Sequence, residues 1–188
     1  MAGQLDFPQR VRECTDRLQA IGVDGLGMLF DLTSQRLVRF AAALTRHQQD
    51  AEDAVQTALV RLASEPHLLA HVVSPWAYLL RMVRNEAFVI ARRKQRQRAT
   101  GALEDLVTYC AVDDAEREES YRAVWAALRT LPPEQAEVVV LKIWEEMTFA
   151  QIAEILSLSP NTAASRYQYA MSKLTKRLTS EQPGVSRA

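Results

Sequence analysis

Residues 148–178 read TFAQIAEILSLSPNTAASRYQYAMSKLTKRL, and the fold prediction begins with this stretch. Thr148 and Gln151 have the spacing of a capping box, in which each side chain satisfies an unpaired amide at a helix N-terminus. Ser159 and Pro160 form a second helix start, because serine is a good N-cap and proline at the first helical position loses no needed donor. The stretch therefore predicts two short helices joined by a break, which is a helix-turn-helix.

The second of these helices has a distinct outward face. The residues that repeat at helical spacing are expected to pack inward, and they are Ala163, Tyr167, Ala170 and Leu174. The outward face is small and polar near the helix start, as entry into a DNA major groove requires, because bulk there would keep the backbone away from the bases. Its residues are Asn161, Thr162, Ala164, Ser165, Gln168 and Tyr169, with Arg166 at the margin. A plain helical hairpin packed in a bundle is the alternative interpretation.

The composition indicates a mainly helical protein. The chain has 188 residues, enough for one domain or two small ones, and its 48% hydrophobic content can fill a core. Glycine is sparse, with 6 residues, and β-branched residues do not alternate over any long stretch. Residues 8–20 have the pattern of a short amphipathic helix, to which we assign no function.

Cysteine usage and hydropathy indicate a soluble protein of the cytoplasm. Cys14 and Cys110 are far apart and have no metal-ligand partner nearby, which favours reduced thiols over a disulfide framework or a zinc site. No apolar run approaches the roughly 20 residues needed to span a bilayer. Charged residues, Arg10, Arg12 and Glu13, occupy the place where a signal peptide would need an apolar segment. We therefore expect no membrane insertion.

Charge is balanced overall but segregated along the chain. The sequence has 23 basic and 23 acidic residues. Between Arg81 and Arg98 there are seven basic residues and one acid, whereas between Glu104 and Glu119 there are seven acids and one base. A second basic segment follows in the C-terminal helix, with Arg166, Lys173, Lys176 and Arg177. This basic, acidic, basic order is typical of two modules that face a polyanion and are joined by a segment that could cover them.

A predicted helix over 74–98 carries the basic run. Its buried stripe is expected to consist of Trp76, Leu79, Leu80, Val83, Ala87 and Ile90. At about 100° per residue, the opposite face is shared by Arg81, Asn85, Phe88 and Arg92. Such a face suits single-stranded nucleic acid, because arginines bind phosphates, a ring stacks on bases and an amide reads a base edge. The alternative is that the basic residues only favour a helix C-terminus and that Phe88 packs elsewhere.

Another predicted helix opens with three acids, Asp50, Glu52 and Asp53. Carboxylates in a first turn stabilise the helix dipole, which is a sufficient structural explanation for them. The loop predicted over 65–74 contains His67 and His71, but prolines bracket the pair and no third ligand is present, so we expect no metal site.

Three stretches of the sequence, taken in order, form a recognisable set. They are DAEDAVQTALVRL at 50–62, SPWAYLLRMVRNEAFVIARRKQR at 74–96 and LPPEQAEVVVLKIWEEMTFAQIAEILSLSPNTAASR at 131–166. Together they resemble the extracytoplasmic-function group of bacterial RNA polymerase sigma factors. Many regulators share a helix-turn-helix, whereas the three motifs at this spacing are specific. The resemblance covers about residues 26–178.

The resemblance implies an all-α fold with two small helical domains joined by an acidic linker, the second ending in the helix-turn-helix. Region 2 would occupy 25–98, the linker 99–120 and region 4 121–180. Residues 1–24 would form an N-terminal extension of unknown role, and 181–188 a tail.

The resemblance also implies a role for each surface. The surface that docks on the coiled coil of the polymerase β′ subunit would comprise Asp50, Glu52, Asp53 and Gln56, in place of a purely dipolar role for the acids. The loop 65–74 and the basic helix face would melt the promoter and read its −10 element, through Arg81, Arg84, Asn85, Phe88, Arg92 and Arg93. Duplex reading of the −35 element would involve Ser159, Asn161, Thr162, Ser165, Arg166, Gln168, Tyr169 and Lys173.

The implied partners are core RNA polymerase and promoter DNA, with an anti-sigma factor as the family's usual means of control. The helix over 133–145 would lie near the polymerase β flap, and the linker would run toward the RNA exit channel. No cofactor is implied. The family usually has basic residues where Ala164 and Tyr169 stand, so its −35 sequence is not carried over.

Other classes of protein remain open on the sequence. An autonomous helix-turn-helix regulator would bind a duplex operator without polymerase, usually as a dimer. An adaptor or anti-factor would bind no DNA. An enzyme is disfavoured, because no catalytic triad, phosphate-binding glycine loop or inward carboxylate pair is evident. The acidic residues 104–119 could shield the basic faces, in which case their deletion would raise binding to free DNA.

Overall fold

The chain divides into two compact units, Met1–Tyr109 and Cys110–Ala188. The computed structural model describes residues 6–99 and 118–180. Within these ranges the regular structure consists of eight α-helices and two short 3-10 turns. The predicted all-α fold with two helical domains is confirmed.

The first unit contains α1 (Phe7–Ile21), α2 (Leu26–Thr45), α3 (Gln48–Ser64) and α4 (Pro75–Ala99). Helices α2, α3 and α4 pack on one another, and α1 packs on α2 and α4. The largest fully buried side chains lie on all four helices and include Leu18, Leu37, Phe40, Leu62, Leu79 and Leu80. Burial of these apolar groups is the main force that stabilises the unit.

Helix α1 is an integral part of this unit, although the sequence offered only a helical pattern over 8–20. Asp6 and Gln9 form a capping box at its start. Val11 and Leu18 are completely buried, and the thiol of Cys14 is free and buried. Burial raises the pKa of this thiol, and neighbouring arginines oppose the effect in part.

Two details of the first unit differ from the sequence prediction. Helix α3 begins at Gln48, two residues before Asp50. Ile90 is half-exposed instead of buried, because it lines an open groove whose α3 side carries Asp50 and Asp53. Past Ala87, the described part of α4 has no buried side chain. The basic end of α4 therefore projects beyond the apolar core.

The second unit contains α5 (Glu118–Thr130), α6 (Pro133–Ile143), α7 (Phe149–Leu156) and α8 (Pro160–Ser180). Helix α8 packs on the other three. The predicted capping box is confirmed, since the Gln151 amide donates to Thr148 Oγ1 at 3.3 Å and the Thr148 amide donates to Gln151 Oε1 at 2.8 Å. Ser157, at a φ of 56°, ends α7 in the left-handed region. Helices α7 and α8 are thus the predicted helix-turn-helix.

The predicted linker, 99–120, falls mainly on 100–117, outside the described residues. At its edges, residue 99 ends α4 and residues 118–120 begin α5. The predicted tail, 181–188, also lies outside the described residues, as does most of the acidic run 104–119. None of the helices in the described ranges has both the length and the apolar character needed to cross a membrane.

Candidate nucleic-acid and docking surfaces

The basic face of α4 combines one aromatic ring with cationic and amide groups. Asn85, Arg92 and Arg93 are exposed, and Arg84 and Phe88 are half-buried. The guanidinium carbon of Arg84 lies 4.7 Å from the centre of the Phe88 ring, within the range of a cation–π interaction. The ring is thus covered by arginine on one side and not buried in the core. Arg81, the remaining predicted member, is half-buried.

The segment before α4 is short and largely exposed. A 3-10 turn, Pro66–Leu69, anchors it through the buried side chain of Leu69. Ser74 caps α4, with the Ala77 amide donating to Ser74 Oγ at 3.3 Å. His67 and His71 are exposed, and among the described residues no group of three potential ligands surrounds a metal-sized site.

Asp50 differs from the sequence expectation. Its side chain is 8% exposed, and Oδ1 forms an ion pair with Lys94 Nζ at 2.7 Å. His47 Nδ1 lies 3.8 Å from the same oxygen. Asp50 occupies the side of α3 that faces α4, where an unpaired carboxylate would carry a large desolvation cost. The residue therefore joins two helices of the unit and exposes little surface to a partner.

The remaining predicted docking residues lie on the solvent side of α3. Asp53 and Gln56 are exposed, and Glu52 is half-buried and accepts a hydrogen bond from Gln48 Nε2. Gln56 also borders an apolar groove between α2 and α3. We call these three residues with Phe30 and Val60 the docking surface.

The apolar part of the docking surface was missed by the sequence analysis. Phe30 is 46% exposed and Val60 is 65% exposed, on opposite sides of the groove. Val60 stands four residues after Gln56, on the polar face of an amphipathic helix, and this was the available signal. Exposed apolar groups beside polar ones are common at protein–protein interfaces.

The face of α8 has the predicted orientation. Ala163 and Ala170 are completely buried, and the outward residues Asn161, Thr162, Ser165, Gln168 and Tyr169 are exposed. Ser159 caps the helix, with the Thr162 amide donating to Ser159 Oγ at 3.0 Å and the two hydroxyls 2.8 Å apart. The start of α8 is therefore capped by its own hydroxyl groups and sterically open.

Two cations of α8 are directed toward α6. Arg166 Nη1 lies 3.7 Å from Oε1 of Glu137, whose side chain is completely buried. Lys173 Nζ donates to Gln135 Oε1 at 3.0 Å. These contacts fix α8 on α6, so Arg166 and Lys173 have a structural task that the sequence expectation of DNA contacts did not include.

Comparison with known proteins identifies both units. The sigma-70 region 2 model matches residues 29–97, and the sigma-70 region 4 model matches residues 121–174. The RNA polymerase sigma-E factor of Streptomyces avermitilis is 34% identical over 146 residues, which cover 77% of this chain and 79% of that protein. The ECF RNA polymerase sigma factor SigM of Mycobacterium tuberculosis is 29% identical over 158 residues, covering 84% and 79%.

Solved structures show the same fold. The sigma factor RpoE of Bartonella quintana, crystallised with the anti-sigma factor NepR, has a TM-score of 0.73 at 21% identity, covering 85% of this chain and 100% of that one. CnrH, in complex with the cytosolic domain of CnrY, has a TM-score of 0.64 at 21% identity, covering 94% and 100%. With both family models matched in order, the chain belongs to the extracytoplasmic-function group of RNA polymerase sigma factors and acts in promoter recognition and transcription initiation.

Proposed function

We propose that the first unit docks on core RNA polymerase and opens the −10 element, while α8 of the second unit reads the −35 element. The observation that carries this assignment is the exposed Asn85 beside the Arg84–Phe88 pair on a basic helix face. A regulator that binds only duplex DNA has no use for such a face. Single-stranded DNA does, because an unstacked base can lie on the ring while its edge bonds to the amide.

The docking surface is the proposed contact with the coiled coil of the β′ subunit. It combines a charged side, Glu52 and Asp53, with an apolar side, Phe30 and Val60, and Gln56 lines the apolar groove. Burial of the apolar side would provide affinity, and the acids would select a basic partner and its orientation. This composition supports a protein partner at α3, with α4 left accessible to DNA.

Reading of the −35 element is assigned to the exposed start of α8. Ser159, Asn161, Thr162, Ser165 and Gln168 are short enough to let the helix backbone approach base edges. Tyr169 is 66% exposed and adds one large group to the same face. Helix α6, packed against α8, is proposed to lie toward the β flap.

Polymerase is essential to this proposal because the chain has no net charge. Affinity for free duplex comes largely from neutralised phosphates, so two small basic faces on a neutral chain bind DNA weakly. Attachment to the polymerase gives each face a high local concentration at the promoter, and two weak contacts then act together. We place the protein in the cytoplasm with the polymerase and assign it no catalytic step of its own.

An anti-sigma factor is proposed as the second protein partner. One solved relative, RpoE of Bartonella quintana, was crystallised with an anti-sigma factor, which supports a partner of this kind. The exposed apolar groove beside Gln56 is the natural place for competition with polymerase, since an occupant there would cover Val60.

A reconstituted transcription assay with purified core polymerase and a random promoter library tests the proposal. Start sites that appear only when this chain is added are the expected result. Arg84→Ala and Asn85→Ala should lower promoter opening while leaving core binding unchanged. Glu154→Gln, an exposed change on α7, is the matched control. Tight binding to duplex operators without polymerase, together with no initiation, would favour an autonomous regulator instead.

A further inference from the structure

Helix α1, to which no function was assigned from its sequence pattern, contacts the segment that leads into α4. Arg12 lies on the exposed side of α1, six positions after the cap at Asp6. Its Nη2 group donates to the backbone carbonyl of Val72 at 3.4 Å and to that of Val73. The hydrogen bonds join residues 60 and 61 positions apart in the chain. One guanidinium therefore bonds to two successive carbonyls of a single loop.

This loop has few other restraints. Between the buried side chains of Leu69 and Trp76, residues 70, 71, 73 and 74 are exposed, and Val73 is 90% exposed. Side-chain packing therefore fixes the two ends of the segment, and the conformation of its middle part depends on contacts made by its backbone. The carbonyls that Arg12 binds lie in that middle part. A planar guanidinium suits the task, because its donors have a fixed geometry and little freedom is lost per bond formed.

A second contact fixes the position of α1 relative to α4. The Phe7 ring meets the Trp76 ring edge-on, with centroids 4.9 Å apart. The Arg36 guanidinium of α2 lies 3.8 Å from the centre of the Phe7 ring. Phe7 is the first residue of α1 and Trp76 is the second residue of α4. Their contact therefore sets the distance between α1 and the start of α4, which the Arg12 side chain spans.

We propose that Arg12 is a positioning residue for promoter reading, which holds the 70–74 backbone in the conformation that discriminates among −10 sequences. The inference rests on the proposed function, in which the loop before α4 faces the melted strand. Arg12 itself contacts no base in this scheme. It restricts the loop before DNA arrives, so that less conformational freedom is lost when the correct sequence binds.

The test compares Arg12→Ala, Arg12→Lys and the control Arg10→Ala in holoenzyme assembled with core polymerase. Arg10 lies on the same helix, carries the same charge and is also exposed, but in the described structure no hydrogen bond links its side chain to the loop. Initiation is counted on promoters with a randomised −10 element and a constant −35 element. Arg12→Ala should reduce the preference for the best −10 sequences about threefold to tenfold, as loss of a small number of hydrogen bonds allows.

The two companion variants separate geometry from charge. Arg12→Lys keeps the charge but replaces the planar, directional guanidinium with a compact, flexible ammonium group, so it should restore only part of the preference. Arg10→Ala should behave as the unchanged protein. Core affinity should stay within about twofold in all three, because a lost contact at the loop leaves the docking surface intact. Equal loss in Arg10→Ala, or undiminished preference in Arg12→Ala, would overturn the proposal.

Amide hydrogen exchange on the free chain provides a measurement that does not depend on polymerase. Faster exchange at 70–74 in Arg12→Ala, without a change in the α2 and α3 core, is expected. Exchange that rises throughout the unit would indicate a general stabilising role and would count against positioning, as would no change at all. If the unchanged holoenzyme itself selects no −10 sequence, the proposed function fails, and that result is distinct from failure of the Arg12 inference.

Discussion

The ion pair between Asp50 and Lys94 leads to a prediction that separates folding from docking. Lys94→Ala leaves the Asp50 carboxylate, 8% exposed, without its 2.7 Å partner. Breaking a fully buried pair in this way costs about 3–5 kcal/mol, whereas an exposed pair contributes about 0.2–1 kcal/mol. Lys94 is 32% exposed, so this case lies between the two limits.

We expect Lys94→Ala to lower the free energy of unfolding of the first unit by about 1–2.5 kcal/mol. For a domain of this size the melting temperature should fall by about 5–15 °C. Asp50→Asn with Lys94→Ala should cost less than the sum of the single changes, because no charge remains buried and unpaired. The coupling energy should be about 1–2 kcal/mol.

Differential scanning calorimetry of the full chain is the appropriate assay, because it can resolve the transitions of two units that unfold separately. Arg93→Ala is the matched control, since Arg93 lines the same groove and carries the same charge without an ion pair to Asp50 in the described structure. A Lys94→Ala loss no larger than that of Arg93→Ala would refute the reasoning.

The same variants test whether Asp50 touches polymerase. If its task is internal, the Asp50→Asn/Lys94→Ala protein should bind core polymerase within about twofold of the unchanged chain, measured below its melting temperature. Asp53→Asn, which alters an exposed carboxylate one turn away, should weaken binding. If the Asp50→Asn/Lys94→Ala protein lost most of its affinity for core polymerase while Asp53→Asn kept it, Asp50 would belong to the docking surface.

Two further predictions concern the docking surface and α8. Val60→Asp should lower core affinity about tenfold or more in a binding titration, because it places a charge on an apolar contact, and Thr57→Ala on the same helix should not. Arg166→Ala should lower the free energy of unfolding of the second unit by about 1–3 kcal/mol, measured by urea unfolding, because the buried Glu137 carboxylate loses a cationic neighbour. Lys176→Ala, at an exposed position of the same helix, is the control, and an equal loss of stability in both variants would contradict this prediction.

Local signals in the sequence predicted the elements well, because each depends on neighbours along the chain. The capping box at Thr148, the cap at Ser159 and the break at Ser157 are properties of a few consecutive residues, and the structure has all three. Helical periodicity likewise placed Ala163 and Ala170 inside.

Pairing between helices was not predictable in the same way. Periodicity assigns Asp50 to a face of α3 but does not show that Lys94, 44 positions later, faces it. The same applies to Arg166 and Glu137, where a buried carboxylate sits in an otherwise apolar helix face. No sequence pattern predicts the hydrogen bonds from Arg12 to the 72–73 backbone, because their acceptors are carbonyls that every residue has.

These internal pairs change how the charge of the chain should be counted. Lys94, Arg166 and Lys173 belong to the basic segments that pointed to nucleic acid, yet each bonds to a group of its own unit. Fewer cations are therefore available to neutralise phosphates than the sequence suggests, and affinity for free DNA falls with each one withdrawn. The more cations the fold uses internally, the more promoter binding depends on attachment to polymerase, which matches a factor that selects promoters only as part of a larger enzyme.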